Sequence, residues 1–123
     1  MKYYSTNNKS LRVSLKEAVI QGLAPDNGLF MPEHIPHLPR DFFASLPKKS
    51  LREIAFEVAS CFVGSEIPAK EIERITDHTI AFEAPLVEVK EDTFALELFH
   101  GPTLAFKDFG ARFMSQLLGY FAG

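Results

Sequence analysis

The side chain best suited to chemistry in this sequence is Lys107, where an apolar strand pattern gives way to a helical one. Residues 93–99 (TFALELF) predict a largely buried strand, which Gly101 and Pro102 then break. From Lys107 or Asp108 onward, apolar residues recur at spacings of three and four, which indicates one face of a helix. Lys107 is therefore expected on or just before the first turn of that helix.

A lysine in this position is a candidate nucleophile and proton carrier. The free N–H groups of a helix start carry partial positive charge, which disfavours an ammonium by about 0.3–1 kcal/mol. Desolvation by the flanking Phe106 and Phe109 would disfavour the charged amine further, whereas adjacent Asp108 opposes that effect. A free amine at the carboxyl end of a strand can bond covalently to a carbonyl carbon. The alternative, common for lysines in general, is a solvated surface residue paired with Asp108.

Two long motifs in this sequence resemble those of one enzyme family. The run from Phe99 to Phe113 (FHGPTLAFKDFGARF) is similar to the cofactor-lysine segment of the threonine synthase family. Members of that family are pyridoxal-phosphate enzymes of the fold-type II group. The run from Glu17 to Pro32 (EAVIQGLAPDNGLFMP) resembles the N-terminal signature of the same family. Two long motifs in the right order rarely arise by chance.

The resemblance implies roles for the residues around Lys107. Lys107 would be catalytic and cofactor-binding: its amine binds pyridoxal 5'-phosphate covalently and later moves protons on the substrate. His100, Gly101 and Thr103 would lie in the loop that faces the cofactor, as possible contacts to cofactor or substrate. Gly101 would permit close backbone approach, and Thr103 would donate a hydrogen bond. For His100, a hydrogen bond to nearby backbone is an equally good interpretation.

Two further side chains near Lys107 have simpler interpretations. Asp108 is expected to cap the helix by accepting hydrogen bonds from its free N–H groups. Arg112 lies four residues after Asp108, so we expect an ion pair between them rather than contact with an anionic substrate.

The reaction implied by the resemblance converts O-phospho-L-homoserine and water to L-threonine and phosphate, a step of threonine biosynthesis. The cofactor stores electrons during the reaction, and Lys107 is the natural base. Two alternatives stay open. One is a phospholyase of the threonine-synthase-like group, which shares the motif and releases a keto acid. The other is a non-catalytic interaction module in which Lys107 is only inherited sequence.

Members of the family are several hundred residues long, whereas this sequence has 123. A pyridoxal-phosphate site needs backbone N–H groups around the phosphate and a partner for the ring nitrogen. The seven glycines are scattered and form no cluster of that kind. We therefore expect the amino-terminal part of a longer enzyme, inactive by itself. Its expected partners are the small-molecule substrate and the rest of its own chain, with self-association of the 123 residues as a further expectation.

Composition and motif spacing argue against several other classes. Thirteen Lys and Arg are spread among sixteen Asp and Glu, which leaves no basic face for nucleic acid. No apolar stretch reaches the roughly 18 residues of a spanning helix, so we expect no membrane partner. The expected location is cytoplasmic, with a matrix compartment after processing as the alternative. His34 and His37 have Pro36 between them and no third ligand nearby, so no metal site is expected. A nucleotide P-loop fails because Phe106 and Asp108 replace its required glycine and hydroxyl.

The sequence divides near residues 82–85 into two parts. We predict an α/β fold in which residues 1–81 form a mostly helical N-terminal cap. Residues 82–123 would begin a fold-type II pyridoxal-phosphate catalytic domain, with its first strands and its cofactor-lysine helix, and would leave that domain incomplete. Strands are predicted at residues 86–89 and 94–99. Cut from a larger sheet, they would leave an open edge and an exposed apolar face.

Within the cap, residues 2–6 are predicted to form an edge strand, and residues 31–40 to be irregular because they contain three prolines. Two capping boxes mark helix starts, Ser14 with Glu17 and Ser50 with Glu53. Glycines end both helices. The next helix covers residues 68–78 with two isoleucines facing inward, and Cys61 is expected to be buried in the helix before it. The inward isoleucines are Ile72 and Ile75.

Overall fold

Short strands and helices alternate along the chain, and a separate pair of strands precedes the last helix. The computed structural model describes residues 1–123. In chain order the elements are β1 (Tyr3–Ser5), β2 (Arg12–Val13), α1 (Leu15–Gln21), β3 (Phe30–Pro32), α2 (Arg40–Ser45), α3 (Leu51–Val63), α4 (Ala69–Thr79), β4 (Leu86–Lys90), β5 (Thr93–Leu96) and α5 (Lys107–Ala122), with a 3-10 turn at Leu46–Lys48. The predicted α/β class is confirmed. None of these helices is long and apolar enough to span a membrane.

Both predicted capping boxes are present. Ser14 accepts a hydrogen bond from the Glu17 N–H at 3.1 Å, and Glu17 accepts one from the Ser14 N–H at 2.8 Å. Ser50 and Glu53 make the same reciprocal pair at the start of α3, at 3.3 and 2.7 Å. Because the first N–H groups of a helix have no partner within it, these bonds set where α1 and α3 begin.

Strand β1 is the centre of a three-stranded antiparallel sheet, in the order β2-β1-β3. The prediction of an edge strand at residues 2–6 is therefore wrong. One partner, β3, begins at Phe30 and enters the stretch that its prolines predicted to be irregular. Pro32 pairs with Tyr3 at the end of β3, which is an edge strand. A proline is tolerated there because an edge strand has a side on which no N–H is needed.

The turn before β3 is held by Asp26. Its carboxylate accepts the Ser5 hydroxyl at 2.7 Å and the Gly28 N–H at 3.0 Å, and these bonds hold the pKa of Asp26 below its ordinary value. Asn27 adopts a left-handed conformation with φ 62°. A Cβ at Gly28 would lie 2.1 Å from the Ser5 hydroxyl oxygen, so only glycine fits. Residues 25–28 (PDNG) of the N-terminal motif thus form this turn, and Asp26 ties it to Ser5 of the central strand β1.

The core lies between the small sheet and helices α1, α3, α4 and α5. Ile72 and Ile75 of α4 are 2% and 1% exposed, as their spacing predicted. Leu117 of α5 is 4% exposed and belongs to the same cluster. Cys61 is half-buried on α3, less covered than expected. The domain division after residue 81 stays a prediction, because α5, which follows it, packs on α4 and α1.

Strands β4 and β5 form a two-stranded antiparallel hairpin. Every residue of both strands is exposed, including Leu86, Val89 and Phe94. The prediction of a largely buried strand at residues 93–99 is therefore wrong, and β5 ends at Leu96. The hairpin has only itself as a sheet partner, which agrees with the predicted open edge and exposed apolar face.

Candidate functional site

Lys107 is the first residue of α5, as expected, and follows the N-cap residue Phe106. Its side chain is exposed, and Phe106 is 74% exposed. The desolvation predicted from the two neighbouring phenylalanines is therefore not present in these 123 residues. Phe109 instead packs on Phe82, with ring centroids 4.7 Å apart. The amine of Lys107 is accessible, while the contact between Phe109 and Phe82 holds its helix in place.

Asp108 is 4% exposed and joins the helix to the lysine loop, the name used below for residues 101–106. One carboxylate oxygen accepts the Thr103 N–H at 2.9 Å, and the other accepts the Thr103 hydroxyl at 2.6 Å. The hydroxyl bond is the main reason why the pKa of Asp108 lies below its ordinary value, and Lys107 contributes in the same direction. The predicted helix cap is wrong, because the carboxylate accepts from the loop and not from the helix.

Gly101 is buried against this pair. A Cβ added there would lie 2.5 Å from Asp108 Oδ2 and 2.7 Å from Phe82 Cζ. The lack of a side chain thus serves close packing within the chain. The same loop holds Leu104 in a left-handed conformation, φ 56°, although its side chain is 75% exposed. That conformation costs about 1–2 kcal/mol for a non-glycine residue, so the surrounding contacts must impose it.

His100 lies just before the loop and makes a side-chain contact that the sequence did not reveal. Its Nε2 is 2.7 Å from Glu97 Oε2, and its ring stacks on Phe99 with centroids 4.7 Å apart. The partner is thus a carboxylate and not the nearby backbone group that one of the two sequence interpretations gave it. Both side chains of the pair reach solvent. The spacing of three residues between Glu97 and His100 was the available signal, but it has no fixed meaning outside a helix.

Arg112 forms no ion pair with Asp108, so that prediction is wrong. Its guanidinium donates to the His78 carbonyl oxygen from Nε at 3.1 Å and from Nη2 at 2.6 Å. It also lies 5.9 Å from the centroid of the Phe82 ring. A cation is favourable at the carbonyl end of a helix, and His78 is in the last turn of α4. Arg112 therefore ties α5 to α4 and leaves Asp108 to the loop.

An open apolar groove of about 430 Å³ lies beside the lysine loop. It is lined by Leu51, Ile80, Ala84, Leu96, Leu98, Phe106, Phe109 and Gly110. No charged or hydrogen-bonding side chain lines it, so it offers nothing that would recognise a phosphate or carboxylate. No three His, Cys, Asp or Glu side chains lie close enough to hold a metal ion. The group available for chemistry at this site is the exposed amine of Lys107, on a helix that packs into the core through Leu117.

The structure brings only some of the predicted site residues together. Gly101 and Thr103 both contact Asp108, which immediately follows Lys107. His100 contacts Glu97 and not this cluster. The sequence did not reveal the contribution of three residues, namely Phe82, Glu97 and Leu104. Phe82 had no detectable signal, because its contacts with Gly101 and Phe109 join segments that are distant in sequence.

Comparison with known proteins gives consistent matches along the chain. A family model described as "Threonine synthase N terminus" matches residues 2–80. The threonine synthase of Escherichia coli strain K12 is 42% identical over 123 residues, which cover 100% of this chain and 29% of that protein. The threonine synthase of Schizosaccharomyces pombe is 42% identical over 125 residues, covering 97% of this chain and 24% of that protein.

Two solved structures have the same fold over this region. The crystal structure of threonine synthase from Escherichia coli gives a TM-score of 0.93 at 41% identity, covering 100% of this chain and 29% of that one. The structure described as PLP-bound threonine synthase from Brucella melitensis gives 0.88 at 36% identity, covering 98% and 27%. This chain thus spans less than a third of the length of these relatives.

Proposed function

The chain belongs to the threonine synthase N-terminus family, and from that premise we propose that it contributes the cofactor lysine, Lys107, of a pyridoxal-phosphate enzyme. The whole protein would convert O-phospho-L-homoserine and water to L-threonine and phosphate. The observation that carries this proposal is the position of Lys107, an exposed amine at the first residue of a helix that is packed into the core through Leu117. A lysine held in this way is accessible to a cofactor and fixed relative to it.

The residues of this chain fit one part of the cofactor. Lys107 has no ion-pair partner, because the neighbouring carboxylate of Asp108 faces Thr103. An unpaired amine is the group that pyridoxal phosphate requires for covalent binding. The seven glycines form no cluster, so we assign the contacts to the cofactor phosphate to other residues of the whole protein.

When bound, pyridoxal phosphate supplies the electron sink that allows the substrate to lose a proton from its α-carbon and then from its β-carbon. Lys107 supplies the base. With its amine free, Lys107 would accept the proton that the substrate loses from its α-carbon. The helix start fixes the backbone of Lys107, so the side chain moves only about its own rotatable bonds during this transfer. Residues outside this chain would bind the substrate phosphate.

We infer that the exposed hairpin of β4 and β5 is covered by other residues of the whole protein. Leu86, Val89 and Leu96 are 64%, 67% and 58% exposed, an arrangement that is unfavourable in water. The 123 residues by themselves would have no turnover, because they lack the contacts to the cofactor and substrate phosphates. Their exposed hairpin would make them self-associate weakly. Sedimentation velocity across a concentration series tests this. We expect Val89→Glu to reduce association, while Ile35→Glu, at an exposed site outside the hairpin, leaves it unchanged.

The test of the catalytic proposal is an absorbance spectrum of the complete enzyme with pyridoxal phosphate, followed by phosphate release from O-phospho-L-homoserine. We expect Lys107→Ala to lose the visible band of the lysine-bound cofactor and the activity. Lys90→Ala is the matched control, an exposed lysine of β4, and should keep both. A band unchanged in Lys107→Ala would contradict the role of Lys107. A keto acid as the product would assign the phospholyase reaction, and no band in the wild type would favour the non-catalytic module.

The cellular location follows from the same proposal. We assign the activity to the cytoplasm, in keeping with the small-molecule biosynthetic reaction proposed for the whole protein.

A further inference from the structure

We propose that Thr103 and Asp108 are positioning residues for Lys107: the two hydrogen bonds between them close the lysine loop and set where the amine leaves the helix. This inference rests on the proposed role of Lys107 as the cofactor lysine. It gives Thr103 a different role from the one expected from sequence, which was direct contact with cofactor or substrate.

Thr103 and Asp108 form a closed hydrogen-bonded pair. The two donors of Thr103, N–H and hydroxyl, meet the two oxygens of one carboxylate at 2.9 and 2.6 Å. The residues are five apart in sequence, and Lys107 lies directly before Asp108. Because Asp108 is 4% exposed, water cannot replace a lost partner without a rearrangement of the loop. The loop and the first turn of α5 therefore move together as long as the bonds are made.

Apart from backbone hydrogen bonds, which include Leu104 N–H to the Gly101 carbonyl and Asp108 N–H to the Ala105 carbonyl, both at 3.1 Å, the rest of the loop has few contacts to hold it. Leu104 and Phe106 are 75% and 74% exposed, and the N-cap residue makes no side-chain bond to the helix. Gly101 packs on Asp108 and Phe82, but it lies at the far end of the loop from Lys107. The left-handed conformation of Leu104 also needs an external restraint. The Thr103–Asp108 bonds are the polar side-chain restraint in the position to supply it.

Thr103 has no free hydrogen-bond donor left for a ligand. A threonine has one backbone N–H and one hydroxyl proton, and Asp108 accepts both. The hydroxyl oxygen can still accept a hydrogen bond, but a phosphate or carboxylate presents acceptors and not donors. Thr103 is therefore suited to hold the loop and poorly suited to bind an anionic cofactor or substrate.

The test compares Thr103→Val with Thr103→Ser in the complete enzyme. Valine keeps the shape of threonine and removes the hydroxyl, so we expect kcat to fall by about 100-fold with KM nearly unchanged. Serine restores the hydroxyl and should return kcat to within about 3-fold of wild type. Asp108→Asn keeps one acceptor oxygen and should lie between them, which provides a second variant if valine disturbs folding. A rise in KM with kcat unchanged would make Thr103 a ligand contact and overturn the inference.

A second readout needs no cofactor. In the cofactor-free enzyme, amide hydrogen exchange in residues 101–108 should be about 10-fold or more faster in Thr103→Val than in wild type, and near wild type in Thr103→Ser. Equal exchange in all three proteins would overturn the inference. Lys107→Ala separates the two proposals. If its spectrum keeps the cofactor band, the proposed function fails; if it loses the band while Thr103→Val behaves as wild type, only the positioning role fails.

Discussion

The cap (residues 1–81) and the hairpin of β4 and β5 are both rich in apolar residues, but they use these residues in opposite ways. In the cap, Ile67 and Ile75 are 2% and 1% exposed and pack in one cluster. In the hairpin, Leu86 and Val89 are 64% and 67% exposed. The cap residues thus pack around a core that α5 completes through Leu117, whereas the hairpin has only itself as a sheet partner and keeps its strands exposed. Its apolar side chains are exposed to solvent.

Lys107 lies at the border between these two regions. Behind it, α5 is anchored to the cap through Leu117 and through the bonds from Arg112 to the His78 carbonyl. In front of it, the lysine loop and the hairpin are open to solvent, except for the contacts around Asp108. A reactive side chain in this position has a rigid base and an accessible tip. Such an arrangement suits a residue that must reach a cofactor held by another part of a protein.

The largest expected effect separates a buried residue of the cap from an exposed residue of the hairpin. Ile75→Ala should lower the free energy of unfolding by about 2–5 kcal/mol, because it leaves a cavity in the packed cluster. Leu86→Ala removes a side chain that is 64% exposed, so it should change stability by about 0.5 kcal/mol or less. Urea unfolding of the 123-residue chain measures both. Similar losses for the two variants would show that the hairpin is as tightly packed as the cap.

The next effect tests how closely Gly101 of the lysine loop packs against Asp108. Gly101→Ala should destabilise the chain by about 1–3 kcal/mol, because the new Cβ would lie 2.5 Å from the Asp108 carboxylate. Gly119→Ala is the matched control, since nothing lies within 4 Å of a Cβ there and its φ is not in the left-handed range. Within α5 that change should stabilise by roughly 0.5–1 kcal/mol. The unfolding temperatures of the two variants should therefore shift in opposite directions. A Gly101→Ala variant as stable as the wild type would contradict the close packing of the loop.

A smaller effect is expected where the cap helices begin. Ser50→Ala removes the acceptor for the Glu53 N–H and should cost about 1 kcal/mol. Ser115→Ala provides the control, because that hydroxyl only bonds the Arg112 carbonyl within α5. It should be neutral or slightly stabilising, since alanine has the higher helix propensity. Equal losses in chemical denaturation would mean that the capping box does not set the start of α3.

The smallest effect is a pH dependence of the folding stability that arises from Asp108. The Thr103 hydroxyl and N–H lower the pKa of Asp108 from its ordinary value of 3.8, so the folded state favours the charged form. The stability from this group is complete above the ordinary value and is lost as the pH falls through the lower pKa of the folded state. Asp108→Asn should therefore show a shallower loss of stability between about pH 5 and pH 2. Parallel curves for wild type and variant would contradict this assignment.

The parts of the fold that depend on neighbouring residues were predictable from the sequence. Ser14 and Glu17 lie three residues apart, so their capping box is visible in the sequence. The inward positions of Ile72 and Ile75 follow from helical spacing in the same way. Lys107 was also placed correctly at the helix start, because apolar periodicity begins directly after it.

The parts that depend on distant residues were not predictable. Whether β1 is an edge or a central strand depends on β3, whose Pro32 argued against a strand. Glu66 accepts hydrogen bonds from the Leu15 and Lys16 N–H groups at 2.7 and 3.2 Å, although it lies about fifty residues away. No local pattern signals such a contact.

The candidate site shows the same limit. The left-handed conformation of Leu104 turns the chain so that Thr103 faces Asp108. A leucine gives no indication of that turn, because the conformation is unfavourable for it. The exposure of residues 93–96 was missed for another reason: an apolar strand pattern predicts burial, but burial requires a partner that the pattern does not identify.

The measurement that tests the central claim most directly is the identification of the lysine that carries the cofactor. The complete enzyme with pyridoxal phosphate is reduced with borohydride, which makes the link to the lysine permanent, and its peptides are analysed by mass spectrometry. We expect the added mass of the cofactor on Lys107 alone, in the peptide that contains Phe106 and Asp108. A label on any other lysine, with Lys107 unmodified, would contradict it.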